Sequence, residues 1–132
     1  MALYEYTHIM PIGKDIEHVK TAIKEPKWHP IGKIYLIHSP DNSKDKLEQI
    51  AKKLQKDLQK IGHIVVLKKL SATGAFEMNS ILDEITKIER EEHGDDATPL
   101  SDIVVNVTGG TNMMAVASLW AASSLKLDAY YV

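Results

Sequence analysis

The sequence predicts an α/β domain built on a parallel sheet of order 3-2-1-4-5 with helices on both faces. Short apolar runs rich in β-branched residues alternate with stretches of helical period along the chain. The connections between them are brief and carry Gly, Pro, Asp and Ser. The last complete unit, Asp102 to Leu125, passes from an apolar run through Thr108-Gly109-Gly110-Thr111 into a second apolar segment. Alternation at this spacing gives successive right-handed βαβ units, and hence a parallel sheet covered on two sides.

Taken in order, Tyr4–Met10 reads as strand one and runs into the loop Pro11-Ile12-Gly13-Lys14. Asp15 is a good N-cap, and Ile16, Val19 and Ile23 recur at helical spacing, so a helix is expected over Ile16–Lys24. Pro26 stops it, and Trp28–Gly32 connects to a second strand, Ile34–Ile37. A polar turn, His38 to Ser43, follows. Leu47, Ile50, Ala51, Leu54, Leu58 and Ile61 then form one stripe at steps of three and four, ended by Gly62. Six lysines from Lys44 to Lys60 lie mostly off that stripe, but Glu48 and Asp57 intersperse them, so they read as a solvated face rather than a nucleic-acid surface. His63–Leu67 is strand three and Ser71–Ala75 a loop. A third helix is expected from Phe76 to Glu91, with Met78, Ile81, Leu82, Ile85 and Ile88 inward, before the soft loop Gly94-Asp95-Asp96. Strand four is Ile103–Val107, a helix starts at about Asn112, and Asp128–Val132 is a fifth strand.

With that sheet order the winding reverses between strands one and four. Ligands of open α/β sheets bind beyond the carboxyl ends of the strands flanking such a reversal. The rule selects the loops Met10–Lys14 and Thr108–Asn112. Adjacent glycines let a ligand approach the backbone, a helix start offers unpaired N–H groups with a positive dipole end, and threonine hydroxyls can donate to a phosphate. The bland alternative is a tight turn that merely needs small residues. Neither a Gly-x-x-x-x-Gly-Lys-Ser/Thr phosphate loop nor a Gly-x-Gly-x-x-Gly fingerprint is present.

Composition narrows the chemistry. The chain has 132 residues, no cysteine and a formal net charge of −2. Thiol catalysis, disulfides and thiolate metal sites are excluded, and a nucleic-acid-binding surface over the whole domain is not expected. Arg90 is the one arginine, so a bound phosphate would meet amides, hydroxyls and lysines rather than an arginine fork. The six histidines show no metal-ligand spacing, so neither a metal nor another cofactor is expected. Glu5, His8 and Lys14 interrupt the first apolar stretch, and Met113–Leu125 is too short to span a bilayer. A cytoplasmic protein without membrane contact is the expectation.

The helix after the glycines has almost no polar face: Met113, Met114, Val116, Leu119, Trp120 and Leu125 point in every direction. A helix apolar all round is buried on all sides. It is expected either to pack against its own copy in a two-fold homodimer through Met113–Leu125, or to be covered by a segment beyond this chain.

Asn106-Val-Thr-Gly-Gly-Thr-Asn-Met-Met resembles the Thr-Gly-Gly-Thr-Lys signature of the CRISPR-associated Rossmann-fold (CARF) sensor domains. His8-Ile-Met-Pro-Ile-Gly-Lys-Asp-Ile-Glu-His-Val19, with Lys33-Ile-Tyr-Leu-Ile-His-Ser39, resembles an archaeal transcriptional regulator family in which a CARF-like domain precedes a winged helix-turn-helix. The resemblance implies a Rossmann-like dimer that binds a cyclic oligoadenylate or similar nucleotide across its axis. It implies a ligand site from Pro11, Ile12, Gly13 and Lys14 in the first loop, with Thr108, Gly109, Gly110, Thr111, Asn112 and Met113 in the second. Asn112 stands where many members have lysine, which removes a cation from the cradle. Residues 1–132 would then be the N-terminal part of a longer protein, and DNA would be bound only through a domain outside this chain. The rival readings are a metal-independent ring nuclease and a dimerisation module with a vestigial pocket. In the nuclease, Thr108 and Thr111 would position the phosphodiester and Lys14 would supply charge. His8 and His38 are its candidate bases, although a structural role suits both better.

Overall fold

A computed structural model describes residues 5–24, 30–93 and 102–132. The strands are β1 (Tyr6–Pro11), β2 (Ile31–His38), β3 (Ile64–Lys69), β4 (Ile103–Asn106) and β5 (Asp128–Tyr130), and the helices α1 (Glu17–Lys24), α2 (Leu47–Lys60), α3 (Met78–His93) and α4 (Asn112–Leu125). They form a five-stranded sheet of order β3-β2-β1-β4-β5, every neighbouring pair parallel. This is the expected Rossmann-like order, with the reversal between β1 and β4.

Alternation along the strands sorts the core into two layers. Met10, Ile34, Leu36 and Val65 pack under α1 and α2 with Val19, Leu54 and Leu58. Ile9, Tyr35, Ile37, Ile103 and Val105 pack under α3 and α4 with Ile81, Ile85 and Ile88. β1, β2 and β4 are buried on both faces, which is why they read as continuous apolar runs.

The caps explain the helix starts. The Glu17 N–H donates to Asp15 Oδ1 at 2.9 Å, so the expected cap at Asp15 forms. α2 takes its cap from further back: Asp41 Oδ1 accepts from the Glu48 N–H at 2.9 Å and the Gln49 N–H at 3.3 Å. A carboxylate of the chain thus occupies that positive helix end.

Two expectations need correction. Ile61 leaves the apolar stripe and is 62% exposed, because the chain turns out of α2 there and Gly62 takes φ +102°. The third helix begins at Met78 rather than Phe76, since Gly74–Phe76 is a 3₁₀ turn. α4, by contrast, keeps one side uncovered within the single chain, the side for which a second copy or a further segment is expected. Met114, Ala117, Ser118, Ala121 and Ala122 face the sheet, while Val116, Leu119 and Trp120 stay exposed, Trp120 at 60%. One sheet face can cover one side of a helix and no more. The expected connectors at Trp28–His29 and Gly94–Asp96 lie outside the described residues, and among the described residues no helix is long and apolar enough to cross a membrane.

Candidate functional site

The sheet brings the two selected loops together. A side chain on Gly13 would lie 3.4 Å from Gly110 Cα, so backbone meets backbone across the gap between β1 and β4. This glycine saddle separates two open clefts. The first, of about 440 Å³, is walled by Lys14, Asp15, His18, Thr21, Thr108 and Gly109, among others. The second, of about 270 Å³, is walled by Ser39, Asn42, Asp45, Ala75, Phe76 and Thr111, among others. Gly13, Lys14 and Gly110 line both.

The paired glycines do different work. Gly109 is closed in: an added Cβ would sit 2.0 Å from His18 Nε2 and 2.7 Å from the Pro11 carbonyl oxygen. Gly110 is exposed, takes φ +83° and would drive a Cβ to 2.6 Å from Met114 Sδ. Thus Gly109 makes room for an imidazole, while Gly110 turns the chain and leaves its surface open.

The threonines are committed to the fold as well. Thr111 Oγ1 accepts from the Met114 N–H at 3.1 Å and donates to the Ala75 carbonyl, while the Thr111 N–H reaches Met114 Sδ at 3.3 Å. It is the N-cap of α4 and a tie to the loop before α3. Thr108 Oγ1 accepts from the Val132 N–H at 2.7 Å, and the Thr108 N–H donates to Asn106 Oδ1 at 3.0 Å. Among the described residues no protein acceptor takes the Gly109 or Gly110 amides. The cradle is therefore mainly amide and glycine surface, with threonines bracing it. Asn112 and Met113 begin α4, and neither lines a cleft. Pro11 and Ile12 are buried beneath the saddle.

Lys14 is the cation of the site. Its Nζ lies 3.0 Å from Asp45 Oδ1, and its side chain is 75% exposed. An exposed pair of this kind contributes little stability, so the ammonium can exchange its partner for a phosphate at small cost. Among the described residues the rim is otherwise acidic or neutral, with Asp15 and Glu17 at the first cleft and Asp41 and Asp45 at the second.

Sequence reasoning missed His18. It stands in the first turn of α1 and its Nε2–H donates to the Pro11 carbonyl at 3.0 Å. Burial holds its imidazole below the usual histidine range, against the Pro11 bond and the Asp15 charge that pull the other way. A neutral ring that donates from Nε2 keeps Nδ1 as an acceptor. Nothing in the sequence marks His18 except its place one turn after the first loop, since its partner is Gly109 across the sheet. The histidines raised as candidate bases are elsewhere. His8 is buried, with Nδ1 hydrogen-bonded to the Tyr130 hydroxyl at 2.7 Å, and His38 donates from Nδ1 to the Ser39 carbonyl at 2.9 Å. Neither lines either cleft. Among the described residues no cluster of His, Cys, Asp or Glu could hold a metal ion.

A family model described as "HFX_2341_N:-like, N-terminal" matches residues 6–132. Among proteins with curated descriptions none matches at a significant level. Solved structures share the fold. Can2 from Sulfobacillus thermosulfidooxidans, in complex with cyclic tetra-adenylate, superposes with a TM-score of 0.72 at 16% identity, over 98% of this chain and 32% of that one. Enterococcus italicus Csm6, bound to cyclic hexa-2'-fluoro-hexa-dAMP, gives 0.70 at 15% identity, over 97% of this chain and 33% of that one. The chain thus spans about a third of each, and what these likenesses establish is the CARF-like, Rossmann-like fold.

Proposed function

The chain belongs to this HFX_2341_N:-like family, and from that premise we propose that it is the ligand-sensing domain of a longer cytoplasmic protein. It binds a cyclic oligoadenylate or a similar nucleotide and passes the binding signal to an attached effector or DNA-binding domain, in CRISPR-linked or transcriptional regulation. The observation that carries this reading is the saddle. Gly13 and Gly110 meet where the sheet changes winding direction, and there a phosphodiester can reach bare amides beside Lys14. That both superposed proteins were solved with cyclic adenylates supports the ligand class.

The domain acts as a homodimer through α4. Val116, Leu119, Trp120, Ser123 and Ser124 form one shallow apolar groove on its outer side, a self-complementary patch being what a two-fold dimer needs. A two-fold axis beside α4 would set two saddles face to face under a symmetric ring. Binding is preferred to ring cleavage because His8 and His38 are bonded away from the clefts, and Thr108 and Thr111 are bonded to the fold.

Calorimetric titration with cyclic tetra- and hexa-adenylate, paired with sedimentation, tests this. The expected result is one ring per two chains and a dimer that Leu119→Glu converts to monomer. Failure to bind either ring removes the ligand claim, and linear products after incubation would make the protein a ring nuclease.

A further inference from the structure

We propose that Phe76 is a stacking platform for one base of the bound nucleotide, an inference that rests on the reading above. Phe76 is the one phenylalanine in the chain, and it is 69% exposed at the edge of the second cleft. Among the described residues no other phenyl, phenol or indole ring lines either cleft.

The ring stands on a braced turn. The Gly74 N–H donates to the Ser71 carbonyl at 3.1 Å, the Phe76 N–H to Thr73 at 3.0 Å and the Glu77 N–H to Gly74 at 3.1 Å. Ala75 is 2% exposed beneath it, and its carbonyl accepts from Thr111 Oγ1. The threonine that caps α4 therefore also ties the aromatic turn to the glycine turn. Presenting a ring from fixed backbone lowers the ordering cost of stacking on it.

The layout of the clefts matches the parts of a nucleotide. Gly13, Lys14 and Gly110 are common to both, so a phosphodiester on the saddle places a neighbouring base in the second cleft. There Phe76 offers a flat apolar face, and Ser39 and Asn42 lie at hand for polar base edges. Stacking on an aromatic side chain is tolerant of base identity, because every base has a π-face. Phe76 would thus set affinity for nucleotides in general, leaving the choice among bases to the polar edge.

Titration of the wild-type chain, Phe76→Ala, Phe76→Leu and Phe76→Trp with cyclic tetra- and hexa-adenylate tests the proposal, with thermal melts alongside. The expected result is a tenfold to hundredfold loss of affinity in Phe76→Ala, little recovery in Phe76→Leu, recovery in Phe76→Trp, and unchanged melting temperatures without ligand. Wild-type affinity in Phe76→Ala, or full affinity in Phe76→Leu, would overturn stacking while leaving the sensor reading in place. A wild-type chain that binds neither ring overturns both.

Discussion

At the carboxyl end of the sheet His18 sits against a glycine and a carbonyl, held neutral by burial. At the amino end His93 closes α3 between two carboxylates. Its Nε2 lies 2.7 Å from Asp102 Oδ1 and its Nδ1 3.4 Å from Glu89 Oε1. Burial alone would lower His93, but those partners raise it above the usual histidine range. The neighbouring Glu92 continues the contrast. It accepts from Lys33 Nζ at 2.7 Å, the Tyr35 hydroxyl at 2.7 Å and Thr7 Oγ1 at 3.1 Å. Burial pushes Glu92 up, yet these donors and the Lys33 charge bring it below the ordinary glutamate range. The amino end spends its polar groups on each other and locks β1, β2, β4 and α3 together. The carboxyl end keeps glycine surface, amides and one exchangeable lysine for something else. The difference is that between a structural clamp and an open glycine-lined surface, the one proposed above as the receptor.

The largest effect that could break this contrast is expected at Gly109. Alanine there must displace both His18 and the Pro11 carbonyl, at a cost of about 3 kcal/mol. In urea unfolding its effect should add only in part to that of His18→Ala, because the second change removes the colliding ring and leaves the Pro11 carbonyl in the way. Simple additivity would mean that His18 does not occupy this place. Replacing Glu92 with Gln should cost about 2 kcal/mol, since Lys33 loses its carboxylate partner, and should leave nucleotide binding untouched. Thr111→Ala should cost about 1 kcal/mol through the lost α4 cap, with Thr111→Ser much milder. Lys14→Ala sharpens the comparison from the other side. Its exposed pair with Asp45 contributes only about 0–1 kcal/mol, so stability should hardly change while affinity for the cyclic nucleotide falls.

Acidity separates the two ends by sign. His93, raised, gives stability that is complete below the unfolded histidine value of about 6.5 and is lost as pH climbs through its folded value. His18, lowered, gives stability that is present above about 6.5 and is lost as pH falls toward its folded value. Thermal melts across pH 5 to 8 should flatten on the alkaline side in His93→Gln and on the acid side in His18→Gln. The reverse pattern would exchange the two roles.

The strand order and the meeting of the two loops at the reversal were legible because they follow from local signals. β-branched runs, the Asp15 cap, Gly62 and the Thr-Gly-Gly-Thr turn all act within a few residues. What escaped depends on partners far apart in the chain. His18 acquires meaning only against Gly109, and the Thr7–Lys33–Tyr35–Glu92 network joins three elements that no periodicity links. The sequence offers the hydroxyl of Thr111 as a ligand group and gives no sign that it also bonds the Ala75 carbonyl. Phe76 reads as the first residue of a helix, because a 3₁₀ turn ahead of an amphipathic helix leaves no mark on the apolar stripe.

Amide NMR titration of the labelled chain with cyclic tetra-adenylate tests the central claim most directly. The account predicts that the Gly13, Lys14, Gly109 and Gly110 amides shift together and saturably, while those of Lys33, Glu92 and His93 stay in place. Shifts concentrated at the amino end of the strands, or none at the saddle at saturating ligand, would contradict it.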